Sequence, residues 1–226
     1  MNIGVLGTGI VGRTLSAKLA QLGHSVMLGT RDPARTLAHT EPDFMGTPPF
    51  SVWHQQNHHI RLATFAEAAG FGEILLNCTA GVASLEALRL AGESSLNGKL
   101  LIDVANPLDF SKGMPPTLTV CNTDSLGEQI QRAFPQARVV KTLNTITASL
   151  MVNPALLPGD HDIFVSGNDA AAKAQVADLL RYEFGWQSVI DLGDITTARG
   201  VEMLLPIWLN LLSVLQTPLF NFKIAR

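Results

Sequence analysis

Short apolar runs bounded by turn residues recur along this chain, with helix-compatible stretches between them. Strands are predicted from Asn2 up to the first glycines, then at Ser25–Leu28, Ile60–Ala63, Glu73–Cys78, Lys99–Val104, Arg138–Leu143, Asp162–Ser166 and Ser188–Asp191. Helices are predicted over RTLSAKLAQLG after the first strand, then at Phe65–Ala69, Val82–Ala91, Ser125–Ala133, Ala170–Arg181 and Thr196–Gln216. Strands that alternate with helices require βαβ units and a parallel sheet. The expected fold class is therefore α/β, a Rossmann-type doubly wound, mostly parallel sheet, with residues 1–193 as its domain. Residues 194–226 form a C-terminal apolar helical appendage.

Two stretches stand out from this alternation. From Val201 to Phe220 about twenty residues are largely apolar, the length needed to cross a bilayer. Glu202, Asn210, Gln216, Pro206 and Pro218 interrupt it, so a buried core helix or a subunit-interface helix is expected, the latter forming an isologous homodimer. The segment Thr36–His59 holds three prolines, Trp53 and the trio His54, His58 and His59. His54 and His58 have the i, i+4 spacing of two ligands on one helix face, but no nearby Cys or acidic partner completes a metal site. A packed surface loop or lid is expected there.

The first strand runs directly into Gly7-x-Gly9-x-x-Gly12 and then a helix. That order is the context in which a glycine turn binds a dinucleotide. Gly7 permits the tight turn, Gly9 the close approach of backbone to a pyrophosphate, and Gly12 the packing of helix on strand. The free N–H groups of the helix then face the anion.

An acidic residue at the end of the second strand is the mark of an NAD site. Here the chain reads Gly29-Thr30-Arg31-Asp32-Pro33-Ala34-Arg35. A guanidinium suits a 2'-phosphate, to which it donates two parallel hydrogen bonds. Arg31, supported by Thr30 and Arg35, therefore argues for NADP(H), against the plainer reading of solvated loop charges. Asp32 reads either as a displaced ribose acid or, because Pro33 follows, as a helix start.

Ligands of open α/β sheets sit at the carboxyl ends of the strands. Thr79-Ala80-Gly81 is small enough for a dinucleotide to lie close, or is a simple turn. Asn106-Pro107 offers an amide for a nicotinamide carboxamide or ribose, and is also an ordinary turn signal. The segment Lys141–Ala148 brings three hydroxyls and the amide of Asn144, suited to positioning a second planar ring. No Ser or Cys nucleophile with a base, no HExxH and no motif of paired carboxylates occurs, and Asp103, His161 and Lys141 are the acids left to consider. Hydride transfer to a ring that delocalises electrons needs none of these, because the cofactors carry the chemistry. A non-catalytic NADP-binding redox sensor would keep the same glycines and Arg31.

Composition narrows the partners. The chain has 226 residues, a net charge of -3 and only 15% charged residues, with no basic stripe for nucleic acid. The first strand begins at Asn2, so a secretory signal is not expected. Cys78 and Cys121 have no metal or redox spacing and are expected to be reduced and mostly buried. A cytoplasmic protein acting on a small molecule or cofactor, without nucleic-acid or membrane partners, is the expectation.

GTGIVGRTL, GTRDP, DVANPL, KTLNT and VSGNDAAAK, followed by the final apolar helix and FNFKIAR, resemble the F420-dependent NADP oxidoreductase family over nearly the full chain. The cytoplasmic reductase domain of the STEAP ferric reductases is similar in its glycine, Arg and Asn-Thr segments. The resemblance implies that Thr8, Gly9, Ile10 and Val11 bind the NADP phosphates, and that Thr30, Arg31 and Arg35 hold the 2'-phosphate. It places Thr79, Asn106 and Ala148 along the nicotinamide half, and F420 or a flavin such as FMN near Asn144. The C-terminal segment would pack on that acceptor site and on a dimer partner. Asn144 departs from the histidine of the archaeal pattern, as the ferric reductases also do. A second enzyme class with a Rossmann domain and a following helical dimerisation domain is the imine or pyrroline-carboxylate reductases, for which the tail here is short.

Overall fold

The computed structural model describes residues 1–43 and 46–226. Among the described residues ten strands form: β1 Asn2–Leu6, β2 Ser25–Thr30, β3 Arg61–Thr64, β4 Ile74–Asn77, β5 Leu100–Asp103, β6 Leu108–Asp109, β7 Thr117–Leu118, β8 Arg138–Thr142, β9 Asp162–Gly167 and β10 Ser188–Asp191. The helices are α1 Ile10–Gln21, α2 Pro33–Ala38, α3 Phe50–Gln56, α4 Phe65–Phe71, α5 Gly81–Ala91, α6 Glu93–Leu96, α7 Leu126–Ala133, α8 Ala148–Val152, α9 Ala170–Asp178, α10 Ala198–Met203 and α11 Leu205–Leu215. Eight strands make one sheet in the order β10-β9-β8-β5-β4-β1-β2-β3. Six of them, β3 to β8 across that order, are parallel; β9 reverses direction against β8, and β10 follows β9. This is the doubly wound arrangement with a reversed two-strand edge.

Strands buried on both faces read as continuous apolar runs, and β4 and β5 are buried at every position. Alternate residues then serve opposite layers. Ile3, Val5, Ile74, Leu76, Leu100 and Ile102 pack with α1, α8 and α9, whereas Leu6, Leu75 and Leu101 pack with α4, α5 and α7. Gly4 faces the second layer, where a Cβ would stand 2.4 Å from the carbonyl of Ala68, so α4 lies directly on the strand.

The single helix expected over Thr196–Gln216 is instead a 3-10 turn (Ile195–Thr197), α10 and α11, broken at Leu204. Pro206, in the first turn of α11, restricts the residue before it and donates no N–H. The stretch Ile195–Leu215 is long and apolar enough to cross a membrane by length and composition, and only 22% of its apolar window is buried. Ile207 (50% exposed) and Val214 (78%) face outward, which removes the buried-core reading. The tail folds back, and the backbone N–H of Asp162 donates to the Phe222 carbonyl at 2.9 Å.

Thr36–His59, of which residues 44 and 45 lie outside the described set, contains the end of α2 and all of α3, anchored by the buried Phe50. His54 stacks on Phe50 and its Nε2 meets the Ile60 carbonyl at 3.0 Å, while His58 lies beyond the helix end against His59. The two imidazoles therefore do not share a helix face. Cys121 is exposed, contrary to the expectation of two buried thiols, and Cys78 is half-buried.

Candidate functional site

The glycine turn has the geometry that its sequence requires. Gly7 adopts a φ of 116°, and a Cβ there would stand 2.6 Å from the Cys78 carbonyl. A Cβ on Gly12 would meet the Gly7 carbonyl at 2.0 Å, so these two glycines lock α1 onto β1. Around the Cβ position of Gly9 there is open space. No side chain caps α1 and no acidic residue occupies its first turn. Its first N–H groups thus lack intrahelical partners, and the positive end of a twelve-residue helix meets open space over Gly9. Thr8, Ile10 and Val11 flank this opening, Ile10 being half exposed.

On one side of the turn lies a cavity of about 600 Å³ lined by Thr8, Arg13, Thr30, Arg31, Arg35 and Phe50, among others. Asp32 is a helix start, because its Oδ1 accepts the Arg35 N–H at 3.0 Å and caps α2. Its carboxylate is thereby engaged locally, against the displaced-ribose-acid reading. Thr30 is largely buried and its hydroxyl meets that of Thr36 at 2.9 Å. Arg31 reaches across the strand ends to Glu86 of α5, with Nη2 3.0 Å from its carboxylate in an exposed pair. Arg13 and Phe50 belong to this cavity and were not singled out in the sequence. The Arg13 guanidinium donates to the carbonyls of Thr8 (2.7 Å) and Pro48 (2.5 Å) and lies over the Phe50 ring. Burial lowers its pKa, with Asp43 pulling the other way. A Gly-x-x-x-Arg spacing from Gly9 was the available signal.

On the other side, a smaller chamber of about 210 Å³ is lined by Val11, Cys78, Thr79, Ala80, Ala105, Asn106 and Phe110. Gly81 starts α5 hard against Asn106, since a Cβ would fall 2.0 Å from the Asn106 carbonyl. Phe110 arrives on the β6–β7 hairpin, which the sequence reading missed because each strand is two residues long. A third cavity of about 680 Å³, lined by Arg132, Arg138 and Asn168, lies at the opposite, amino end of β8 and contains none of the strand-end motifs.

Three expected contacts are relocated. Pro107 and Ala148 are buried and line neither cavity. Asn144 is 4% exposed, and its Nδ2 donates to Asn106 Oδ1 (3.0 Å) and the Val201 carbonyl (3.2 Å). That amide, expected to face a ring, instead orients Asn106, which donates back to the Asn144 carbonyl at 2.8 Å. The preceding Leu143 takes a left-handed φ of 60°, a strained state for leucine that aims Asn144 inward. Of the expected hydroxyls, Thr142 donates to Phe164 O at 2.7 Å.

The remaining acids are also withdrawn from both cavities. Lys141, fully buried, contacts Asp103 and Glu202, each at 2.8 Å. Burial opposes its charge, but Asp103 and Glu202 outweigh that and hold the ammonium above its ordinary value. His161 contacts the Pro154 carbonyl and Asn221, outside both cavities.

A doubly wound sheet, an uncapped helix terminus over a glycine turn and flanking cavities define a dinucleotide-binding protein of the Rossmann class. The profile of the family described as NADP oxidoreductase, coenzyme F420-dependent, matches residues 2–107. A solved structure from Arthrobacter sp. FB24, provisionally designated an F420-dependent NADP-reductase, is 62% identical over 99% of both chains with a TM-score of 0.95. The F420-dependent NADP reductase of Methanothermobacter marburgensis is 27% identical over 93% of this chain and 92% of its own. Metalloreductase STEAP3 of Rattus norvegicus is 29% identical over 91% of this chain, which spans 37% of that protein's length. The chain belongs to the F420-dependent NADP oxidoreductase family and is an NADP-dependent oxidoreductase.

Proposed function

We propose that this chain transfers hydride between NADP(H) and the deazaflavin F420, with a flavin such as FMN as the other acceptor of suitable shape. The observation that carries the proposal is the division of the strand ends by the glycine turn into a cavity that holds Arg13, Arg31 and Arg35 and a small chamber. F420 stands first because the name of the M. marburgensis relative couples it with NADP. The nicotinamide supplies the hydride when bound. The N–H groups at Gly9, Ile10 and Val11 receive the phosphates, and the open space at Gly9 admits them. Arg31 and Arg35 take the 2'-phosphate, Arg31 by exchanging its bond with Glu86. Thr79, Ala80 and Asn106 border the nicotinamide half, in a chamber whose other walls, Val11, Val104 and Phe110 among them, are apolar. A planar acceptor requires no proton donor in line with the hydride, which fits acids that are fully buried or spent elsewhere. The exposed apolar face of α11, with Ile207, Val214 and Leu215 outward, suits an isologous pairing with a second copy.

Replacing Arg31 with Ala is expected to weaken NADPH relative to NADH by about 1.5–3 kcal/mol, the worth of a hydrogen bond to a charged group. Equal losses for both cofactors would remove Arg31 from the 2'-phosphate. Stopped-flow oxidation of NADPH in the presence of F420 and, separately, FMN tests the acceptor. Turnover faster with F420 than with FMN is expected, and tight NADPH binding without turnover on either would favour a sensor over an enzyme.

A further inference from the structure

Two consecutive residues of α10 are linked by hydrogen bonds to residues that line the chamber, and neither lines it itself. Glu202 is 1% exposed. Its carboxylate accepts from Lys141 Nζ at 2.8 Å and from the N–H groups of Leu126 (2.8 Å) and Gly127 (3.0 Å), at the start of α7. Lys141 spends its other two donors on Asp103 Oδ2 (2.8 Å) and on the carbonyl of Ala105 (2.5 Å), a chamber residue. Asp103 Oδ1 then accepts from Asn77 Nδ2 at 2.8 Å, and Asn77 Oδ1 accepts the hydroxyl of Thr79, on the chamber wall, at 2.7 Å. Next to Glu202, the Val201 carbonyl accepts from Asn144, whose amide orients Asn106, also on the chamber wall. One path is ionic and one is amide, and both end on α10.

One cation and two carboxylates fully out of water are a costly way to fill space. Apolar residues of similar volume are often as stable or more so, and the partial positive charge at the start of α7 only moderates the second carboxylate. Such a cluster fixes positions, because every donor has one acceptor at one angle.

We propose that Glu202 and Lys141 are positioning residues for the nicotinamide half of the cofactor, tying the chamber walls to α10; this rests on the assignment of the chamber to the nicotinamide. Through α10 the chamber is joined to the outward apolar helix α11, beyond the break at Leu204. Ligand halves separate this role from a merely structural one. On that assignment NADPH occupies both cavities, whereas 2',5'-ADP occupies only the one that holds Arg31 and Arg35. Glu202→Gln is expected to weaken NADPH by about tenfold, the scale of displaced supporting groups, and to leave 2',5'-ADP within about twofold. Asn144→Ala leaves no buried charge unpaired and is expected to show the same split, by about fivefold, in protein that melts cooperatively. Equal losses for both ligands in either variant, or a lowered Tm with unchanged affinities, would overturn the positioning role. Wild-type protein that binds NADPH no tighter than 2',5'-ADP would remove the chamber assignment itself, and this inference with it.

Discussion

The glycine turn, a cradle of backbone N–H groups, and the charge cluster bonded to the chamber walls are built on opposite plans. The cradle is local: within six residues Gly7, Gly9 and Gly12 make the turn, and its polar groups are backbone N–H donors facing open space. The cluster is assembled from Asn77, Asp103, Lys141 and Glu202, and no solvent reaches it. The cradle keeps its polar groups free for a ligand. The cluster pairs its groups with one another and leaves nothing for a ligand to displace. Binding capacity thus resides where hydrogen bonds are missing, and rigidity where they are complete.

That contrast breaks most sharply at Lys141. Lys141→Met strands two buried carboxylates and is expected to cost about 3–5 kcal/mol in urea unfolding. A loss below about 1 kcal/mol would mean that the cluster is no rigid core.

The cradle itself divides into structural and ligand-facing glycines. Gly12→Ala forces a methyl against the Gly7 carbonyl and is expected to destabilise by about 2–3 kcal/mol. Gly9→Ala meets no atom and keeps a compatible φ of -71°, so stability should stay within about 0.5 kcal/mol. Its NADPH affinity should nonetheless fall at least about tenfold by calorimetry. Unimpaired binding by the Gly9 variant would separate the cradle from the phosphates.

The smallest effect concerns the tail. Asp162 accepts from Ile224 N–H at 2.6 Å and from Lys223 and Ser188 side chains. Burial opposes ionisation there, but these hydrogen bonds outweigh it and lower the carboxyl below its ordinary 3.8. A lowered carboxyl stabilises the fold above that value and loses its contribution as pH falls through the folded one. Cleavage of the tail by pepsin should therefore accelerate below pH 3.8 in wild type, while Asp162→Asn should show the loosened tail already at neutral pH to other proteases. Identical tails in both proteins would show that the apolar contacts of Phe220 and Phe222 suffice.

Legibility in the sequence follows the same division. The eight strands of the sheet announced themselves as apolar runs between turns, and the glycine pattern and Arg31 lay in adjacent loops. The features missed were either short or nonlocal. The two-residue strands β6 and β7 carry no period, and α2, α3 and α8 are too brief to show one. Arg13 belongs to the cavity of Arg31 and Arg35 through Pro48 and Phe50, some 35 residues away, which no local pattern joins. Asn77, Asp103 and Lys141 each interrupt an apolar strand with a polar residue, and that interruption was the visible trace of the cluster. Glu202 left a different trace, a lone acid in an apolar run, which weighed against membrane insertion without revealing its partner.

The unequal surroundings of the two cysteines make the protein its own labelling platform. Burial, with the Asp103 charge beside it, raises the Cys78 thiol well above its ordinary value, so it contributes little thiolate at neutral pH. Cys121 is exposed, and its neighbour Asn122 donates to Met203 Sδ on α10 at 3.2 Å. A maleimide dye added to unmodified protein will therefore attach at Cys121, next to the helix that holds the chamber. That places an optical probe beside α10 with no substitution in the chain.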